Sequence, residues 1–304
     1  MSKDSGNLKM NMYLLPNPLI KSPLNYIGGK YKLLPQILPH FPCKIRNFVD
    51  LFAGGGNIGV NVVAERIFLN DNLIYLIDLF RYFKETPINE ILFQIEQCIL
   101  KFNLSLENEE GYLALRNSYN LEKSPLKLFV LICFSFNHQI RFNSKHCFNV
   151  PFGKNRSEYN NTIKYNLMLF INELKNKNIY LSACPFEKFG FKAFDENDLF
   201  YCDPPYLIST GTYNDGKRGF SGWSETEEKK LLTFLDQLDA KNIKFALSNV
   251  LFHKGNKNII LNEWLSNHKK YNVQRLNFYY NNSSYNLLSR KKEETQEVLI
   301  TNYM

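Results

Sequence analysis

The stretch that most constrains the fold is a short apolar run that leads directly into a cluster of glycines. Residues 48–52 read FVDLF, and AGGGNIG follows at 53–59. Gly54, Gly56 and Gly59 have the spacing GxGxxG. A buried strand followed by a glycine turn and a helix is the unit from which parallel α/β sheets are built. We therefore predict a parallel sheet with crossover connections that starts at this strand.

Most of the other apolar segments also alternate between strand-like and helix-like patterns. The predicted strands are RIFLND (66–71), IYLSA (179–183), DLFYCD (198–203) and NIKFALSNV (242–250), followed by a closing antiparallel pair of YNVQRLNFYY (271–280) and EVLITNY (297–303). The predicted helices are NIGVNVVAER (57–66), KYNLMLFINELKNK (164–177), a helix from a capping box at 224–227 to about 240, and NEWLSNHK (262–269). These patterns predict an α/β fold with a Rossmann-like sheet.

The central part of the chain has a different character. Segments 88–103 and 124–138 have helical spacing, and no strand-like alternation separates them. We predict that 79–158 is a helical, basic insertion within a discontinuous α/β domain made of 1–78 and 159–304.

The charge of the chain favours a nucleic acid as partner. The 304 residues include 37 Lys or Arg and 29 Asp or Glu, a net charge of +8. Between 138 and 164 the sequence has five Lys or Arg and one acidic residue. Such a run is also typical of an ordinary solvated face, so charge alone does not identify the partner.

The six cysteines do not form a metal or disulfide pattern. None has CxxC spacing, and no histidine pair has HxxxH spacing. We expect no metal site and a reducing, cytoplasmic setting. Residues 1–15 lack the apolar core of a secretory signal, and no window approaches 18 apolar residues, so no membrane span is expected.

Two carboxylates flank the glycine turn and indicate its ligand. Asp71 lies 17 residues beyond Gly54, at the end of the next predicted strand, where a carboxylate can accept hydrogen bonds from a ribose. Asp50 lies four residues before Gly54. A carboxylate there would repel a pyrophosphate but suits a ligand with an ammonium and a sulfonium. S-adenosylmethionine is favoured over a dinucleotide, although a glycine turn that binds nothing stays an alternative.

Four blocks in fixed order carry a resemblance to a known family. They are PLNYIGGK (23–30), FVDLFAGGG (48–56), FNVPFG (148–153) and FYCDPPY (200–206). The chain resembles the alpha-class DNA adenine-N6 methyltransferases, the Dam-like or D12 family, over nearly its whole length. The resemblance implies a sequence-specific enzyme of the restriction-modification or Dam type. It would transfer the methyl group of S-adenosylmethionine to N6 of a flipped adenine in double-stranded DNA.

The resemblance also implies roles for individual positions, with 79–158 as the target-recognition domain. The cofactor residues, including Asp50 from the charge argument above, would be Tyr26, Lys30, Asp50, Phe52, Gly54, Gly56, Asp71 and Asp203. The catalytic residues would be Asp203, Pro204, Pro205 and Tyr206. The residues that read the DNA would be Asn137, Gln139, Arg141, Asn143, Asn149, Pro151 and Lys154.

The DPPY residues suit this chemistry because N6 of adenine is a poor nucleophile. The Asp203 carboxylate and the Pro204 carbonyl can each accept one hydrogen of the amino group, and Tyr206 offers a ring on which the base can stack. The target base must first leave the duplex, at a cost of a few kcal/mol. We expect the loop at 207–223 to close over the flipped base or to touch the DNA backbone.

Several alternatives stay open from sequence. Gln139 and the KHC at 145–147 depart from the pattern associated with GATC-type members, so GATC is one candidate target among others. An NAD(P)-dependent oxidoreductase uses the same glycine turn but leaves DPPY unexplained, and an inactive DNA-binding relative would have no need of Asp203. We expect a monomer, with a restriction endonuclease as a separately acting partner if the chain belongs to a restriction-modification system.

Overall fold

The computed structural model describes residues 18–208, 223–277 and 295–304. The strands are β1 (Asn47–Asp50), β2 (Arg66–Asn70), β3 (Ile179–Ser182), β4 (Leu199–Cys202), β5 (Lys244–His253), β6 (Asn256–Lys257), β7 (Asn272–Leu276) and β8 (Thr295–Thr301). The helices are α1 (Leu34–Ile37), α2 (Ile74–Glu85), α3 (Ile88–Lys101), α4 (Glu109–Leu121), α5 (Pro125–Phe134), α6 (Asn161–Asn176), α7 (Glu225–Ala240) and α8 (Ile259–Asn267).

The strands form one sheet in the order β3-β2-β1-β4-β5-β8-β7, and β6 pairs with the end of β5. The five strands from β3 to β5 are parallel, whereas β8 runs antiparallel to β5, and β7 antiparallel to β8. The predicted parallel α/β sheet and its closing antiparallel pair are confirmed. Strand order reverses between β1 and β4, so their carboxyl ends form the switch point at which open α/β sheets bind ligands.

Both faces of the sheet are covered, which explains why its central strands are apolar throughout. Phe48 of β1 and Tyr201 of β4 lie in the core shared with helices α2 to α6. Their sequence neighbours Val49 and Phe200 lie in the opposite core, with α7 and α8. Adjacent strand residues point to opposite faces, so one apolar run packs against both helical layers. The helices hold the strand ends in fixed register at the switch point.

The central region contains the expected helices and two more. The predicted helices at 88–103 and 124–138 correspond to α3 and α5, but α5 ends at Phe134, and the sequence analysis did not include α4 or α2, which crosses the predicted boundary at 79. These helices share a continuous buried core with the sheet. Their assignment to a separate target-recognition domain stays a prediction.

The helix predicted for 57–66 is wrong. Only a single 3-10 turn forms there, at Gly59–Asn61, and the chain is extended at Val62. Because β2 already begins at Arg66, there is room for one turn only. The Asn61 amide pairs instead with the backbone N–H and carbonyl of Ile20, each at 2.7 Å. This fastens the segment that carries Tyr26 and Lys30 to the glycine turn.

Two segments discussed above fall outside the described residues. Most of the proposed closing loop, at 209–222, and the turn between β7 and β8 are among them. Within the described ranges, no helix has the length and apolar character needed to cross a bilayer.

Candidate active site

A cavity of about 370 Å³ opens at the carboxyl ends of β1 and β4. Asp50 ends β1 and pairs in register with Tyr201, two residues before Asp203. The volume is in the range of sites that take a nucleoside-sized ligand. The cavity is lined by seven of the eight predicted cofactor residues, all but Gly56, and by Pro204, Pro205 and Tyr206.

The glycine turn is held by Asp71. Its Oδ2 accepts the Gly54 amide and its Oδ1 accepts the Leu73 amide, both at 2.9 Å. Gly54 has a φ of +49°, and an added Cβ would lie 3.0 Å from the Tyr26 ring. The position therefore requires glycine on both counts. Burial raises the pKa of Asp71, and the two amides oppose that rise. Asp71 thus braces the turn while lining the cavity.

Asp50 is a buried carboxylate at the end of β1. Only 1% of the residue is exposed, and neither oxygen has a hydrogen-bond partner among the described residues. Burial raises its pKa well above the usual value and the Asp203 carboxylate raises it further, whereas the nearby Gly59 amide, which does not meet hydrogen-bond geometry, and Lys30 lower it. Buried charges are normally paired. An unpaired carboxylate that lines a cavity is suited to a cationic ligand group.

Lys30 fixes one side of Asp203. Its Nζ lies 2.8 Å from Asp203 Oδ2 and donates to the Gly28 carbonyl at 2.9 Å. It also lies 5.0 Å from the centre of the Tyr206 ring. Lys30 is only 4% exposed, so it is a buried partner of Asp203 and not a solvated surface charge.

Tyr206 joins Asp203 to a residue that the sequence reading missed. The Tyr206 hydroxyl lies 3.1 Å from Asp203 Oδ1 and 2.7 Å from Glu297 Oε1. Glu297 belongs to β8, is 2% exposed, and lies 3.7 Å from Lys30 Nζ. A single acid inside the apolar strand EVLIT was the available signal. Burial raises the pKa of Asp203, Lys30 opposes the rise, and Glu297 adds to it.

Three aromatic rings form the opposite wall. The ring centres of Phe52, Phe186 and Trp223 are 5.5 to 5.8 Å apart. The Trp223 indole N–H donates to the fully buried Glu228 carboxylate at 2.6 Å. Sequence analysis identified Phe52 only, because Phe186 and Trp223 lie in loops whose patterns carry no signal for a site. The rings are tilted or edge-on to one another, and an apolar aromatic wall of this kind suits contact with a purine ring.

The predicted DNA-reading residues lie together on a hairpin-like segment after α5. Isolated bridges pair Ser135 with Phe152 and Phe142 with Phe148. Arg141 spans this hairpin, donating from Nε to Asn149 Oδ1 and from Nη2 to the Asn149 carbonyl, both at 2.9 Å. Arg141 and Asn149 therefore brace each other in this structure.

The other predicted DNA-reading residues differ in their contacts and in their exposure. Asn143 accepts the amides of Lys145 and Cys147 and so shapes the hairpin tip. The Asn137 carbonyl accepts the Asn25 side-chain amide at 2.9 Å, which ties the hairpin to the segment of Tyr26. Pro151 and Lys154 are exposed, and Gln139 is half-buried in a second cleft beside Asn25 and Asn137.

Among the residues that the structure describes, no group of three or more His, Cys, Asp or Glu side chains could hold a metal ion.

This sheet, with a ligand cavity at its switch point and Asp-Pro-Pro-Tyr after β4, is the arrangement expected of an amino-methylating enzyme. The family predicted from the four sequence blocks is confirmed. Residues 26–279 match the D12 class N6 adenine-specific DNA methyltransferases, and the chain belongs to that family.

Among its relatives, the chain is 52% identical to the Type II methyltransferase M.FokI of Planomicrobium okeanokoites, over 94% of this chain and 43% of that protein. It is 49% identical to the modification methylase StsI of Streptococcus sanguinis, over 93% of this chain and 43% of that protein. A DNA adenine methylase of Haemophilus influenzae is 31% identical over 60% of this chain and 63% of that protein. The chain thus spans less than half the length of the first two relatives.

Proposed function

We propose that the chain is a sequence-specific DNA adenine-N6 methyltransferase that uses S-adenosylmethionine. One observation carries the proposal. The carboxyl ends of β1 and β4 place two carboxylates in one cavity. Asp50 is buried and has no hydrogen-bond partner among the described residues, and Asp203 is held by Lys30. The first is suited to the cation of the cofactor, and the second to the amino group that receives the methyl.

The residues present fit the cofactor. Asp50 would accept the α-ammonium group, and the rings of Phe52, Phe186 and Trp223 would pack on the adenine. Each oxygen of Asp71 accepts one amide and keeps a second lone pair for a ribose hydroxyl. When bound, S-adenosylmethionine supplies an electrophilic methyl group on a sulfonium.

The role of Asp203 is to hold the nucleophile. Its carboxylate and the Pro204 carbonyl would accept the two N6 hydrogens, which draws the nitrogen lone pair toward the methyl group. The Tyr206 ring would stack on the flipped base, and Lys30 keeps Asp203 in place. Because burial raises the pKa of Asp203, this carboxylate is suited to receive the proton that N6 loses once it is methylated. Positioning of this kind supplies much of the rate of such transfers.

The DNA would be read by the hairpin of 135–153. Its exposed and half-buried side chains lie beside the cleft of Asn25 and Asn137, and it is tied to the segment carrying Tyr26. We take Gln139 and the tip at 145–147 as the parts that set the target sequence, which need not be GATC.

The likeness to proteins named modification methylases supports a role in restriction and modification, with the cognate endonuclease as a separate partner. We also propose that the chain acts as a monomer.

The test measures cofactor binding and methyl incorporation together. We expect S-adenosylhomocysteine to raise the melting temperature of the purified protein and NAD to leave it unchanged. Labelled S-adenosylmethionine should transfer its methyl to unmethylated plasmid DNA. Asp203→Ala should lose transfer by about a thousandfold while keeping S-adenosylhomocysteine binding. Stabilisation by NAD alone, or equal transfer by Asp203→Ala, contradicts the proposal.

A further inference from the structure

Glu297 lies next to Tyr206, and the proposed mechanism gives it no role. Lys30, Asp203, Tyr206 and Glu297 form one buried group, joined by contacts of 2.7 to 3.7 Å. A buried glutamate costs free energy unless its interactions repay it. The contact to the Tyr206 hydroxyl, at 2.7 Å, is the shortest that it makes in this group.

The Tyr206 hydroxyl has one hydrogen and two carboxylates within reach. It lies 2.7 Å from Glu297 and 3.1 Å from Asp203, so only one of them can receive a full hydrogen bond. Hydrogen bonds from hydroxyls to ionised acceptors are short, and the shorter contact is the one to Glu297. The hydrogen therefore belongs on the Glu297 side.

We propose that Glu297 is a positioning residue for methyl transfer: it takes the Tyr206 hydrogen, so that the tyrosine oxygen turns a lone pair, and not a hydrogen, toward Asp203. Asp203 then keeps its strength as an acceptor for the N6 amino group. The inference rests on the proposed function, because it assigns a purpose to Asp203 as an acceptor.

Uncharged residues lie on either side of Glu297 in the sheet. Across the sheet its register partners are Val250 of β5 and Leu276 of β7, both uncharged. Among the described residues, the titratable groups near it include Lys30, Asp203 and Tyr206, and its charge also acts on the Tyr201 hydroxyl.

Glu297→Gln separates this role from mere support. Glutamine keeps the size of the side chain but brings an N–H group, which can donate to the tyrosine oxygen. The tyrosine hydrogen would then turn to Asp203, which already accepts from Lys30, and Asp203 would become a weaker acceptor for N6. The single-turnover rate of methyl transfer should fall about tenfold, while the dissociation constant for S-adenosylmethionine stays within about threefold.

Tyr206→Phe gives the contrasting result. It removes both hydroxyl contacts but keeps the ring, and it leaves Asp203 without a competing donor from residue 206. We expect it to lose less rate than Glu297→Gln, and we expect the double variant to be no slower than Glu297→Gln alone. If Glu297 only supported the structure, Tyr206→Phe should lose more rate than Glu297→Gln, because Tyr206→Phe removes two contacts.

The pH profile adds an independent readout. The Glu297 charge raises the pKa of Asp203, so its removal should lower that pKa and shift the acidic limb of the rate profile to lower pH. Glu173→Gln, which removes one charge from a surface pair on α6, should leave the rate and the limb unchanged. If thermal melting shows that Glu297→Gln is unfolded, Glu297→Asp serves instead. Its side chain is one methylene shorter, so the carboxylate lies farther from the Tyr206 hydroxyl.

The wild-type reaction distinguishes the two possible failures. No N6-methyladenine from the wild type would refute the proposed function itself. Normal wild-type product, with a Glu297→Gln rate within about twofold and an unshifted acidic limb, would refute the positioning role alone. So would a greater loss in Tyr206→Phe than in Glu297→Gln.

Discussion

At the scale of single residues, the site is defined by how two carboxylates differ. Asp203 is held by Lys30 at 2.8 Å, whereas Asp50 has no hydrogen-bond partner among the described residues. Asp50 is buried and Asp203 is partly buried, and burial is the main cause that raises the pKa of each. The lysine keeps Asp203 available as an anionic acceptor, while Asp50 is left for a ligand. One cavity thus offers two different environments for the same side-chain type.

Asp50→Asn should stabilise the free protein and weaken the binding of S-adenosylmethionine. The amide removes an unpaired buried charge, so the melting temperature of the free protein should rise by about 2 °C or more. The dissociation constant for S-adenosylmethionine should rise by roughly tenfold to a hundredfold, because the charge partner of its ammonium is lost. Calorimetry and thermal melts measure both. Asp78→Asn, in an exposed pair with Arg81, is the matched control and should change neither.

The same variant should change how stability depends on pH. The folded pKa of Asp50 lies above its unfolded value, so the native state binds the proton more tightly. Stability is therefore lost as pH rises from about 4, near the unfolded pKa, toward the folded pKa. Asp50→Asn should lose this component, and its advantage in free energy of unfolding over the wild type should grow with pH through that window. An advantage that does not depend on pH would contradict the assignment.

At the scale of elements, the site depends on contacts that tie loops to the sheet. The Trp223 indole is fastened to Glu228 of α7, whose other oxygen accepts the side-chain amides of Asn249 and Asn258, each at 3.0 Å. One buried glutamate therefore connects the aromatic wall to α7, β5 and the start of α8. The position of the Trp223 ring against Phe52 depends on it.

Glu228→Gln should weaken cofactor binding through Trp223. The amide can satisfy only part of the three donors, so the indole loses its fixed position and S-adenosylhomocysteine affinity should fall about fivefold to tenfold. The chain has two tryptophans, so a Trp264→Phe background makes Trp223 the only tryptophan reporter of binding. Glu225→Gln, on the exposed first turn of α7, should bind as the background does. Unchanged affinity and an unchanged Trp223 spectrum in Glu228→Gln would exclude this coupling.

The segment carrying Tyr26 and Lys30 depends on Asn61. Its buried side chain bonds the N–H and carbonyl of Ile20 and the carbonyl of Asn57, each at 2.7 Å. Asn61→Ala should reduce the free energy of unfolding by about 2–3 kcal/mol and should also raise the KM for S-adenosylmethionine. Asn160→Ala, which removes the cap of α6, should cost about 1 kcal/mol and leave KM unchanged. A change in stability without any change in KM would limit Asn61 to a structural role.

At the scale of the whole molecule, the charge of +8 and the hairpin lead to a prediction for DNA binding. Lys154 is exposed beside that hairpin. Lys154→Ala should weaken binding to all duplexes alike and reduce the salt slope of the logarithm of affinity by about 1, as expected for one phosphate contact. Titration at several salt concentrations measures this. A loss confined to one DNA sequence would instead make Lys154 a base-reading residue.

Features that depend on a local sequence pattern could be predicted from the sequence. The glycine turn, the strand before it and the capping box of α7 depend on neighbouring residues, and all three are observed, although the strand predicted over 48–52 ends at Asp50. The helix at 57–66 was wrong because a long-range contact, Asn61 to Ile20, replaced it. Glu297 is separated from Asp203 by 94 residues and reaches it only because β8 inserts between β5 and β7. Pairings of that kind depend on strand order, which the spacing of residues does not specify.

The central claim is that Asp203 directs a methyl group to N6 of adenine, and the identity of the product tests it most directly. The wild type would be incubated with unmethylated plasmid DNA and S-adenosylmethionine, and the DNA digested to nucleosides for mass spectrometry. The proposed function predicts N6-methyladenine, absent with Asp203→Ala. N4-methylcytosine, or no methylated nucleoside from a protein that binds S-adenosylhomocysteine, would contradict it.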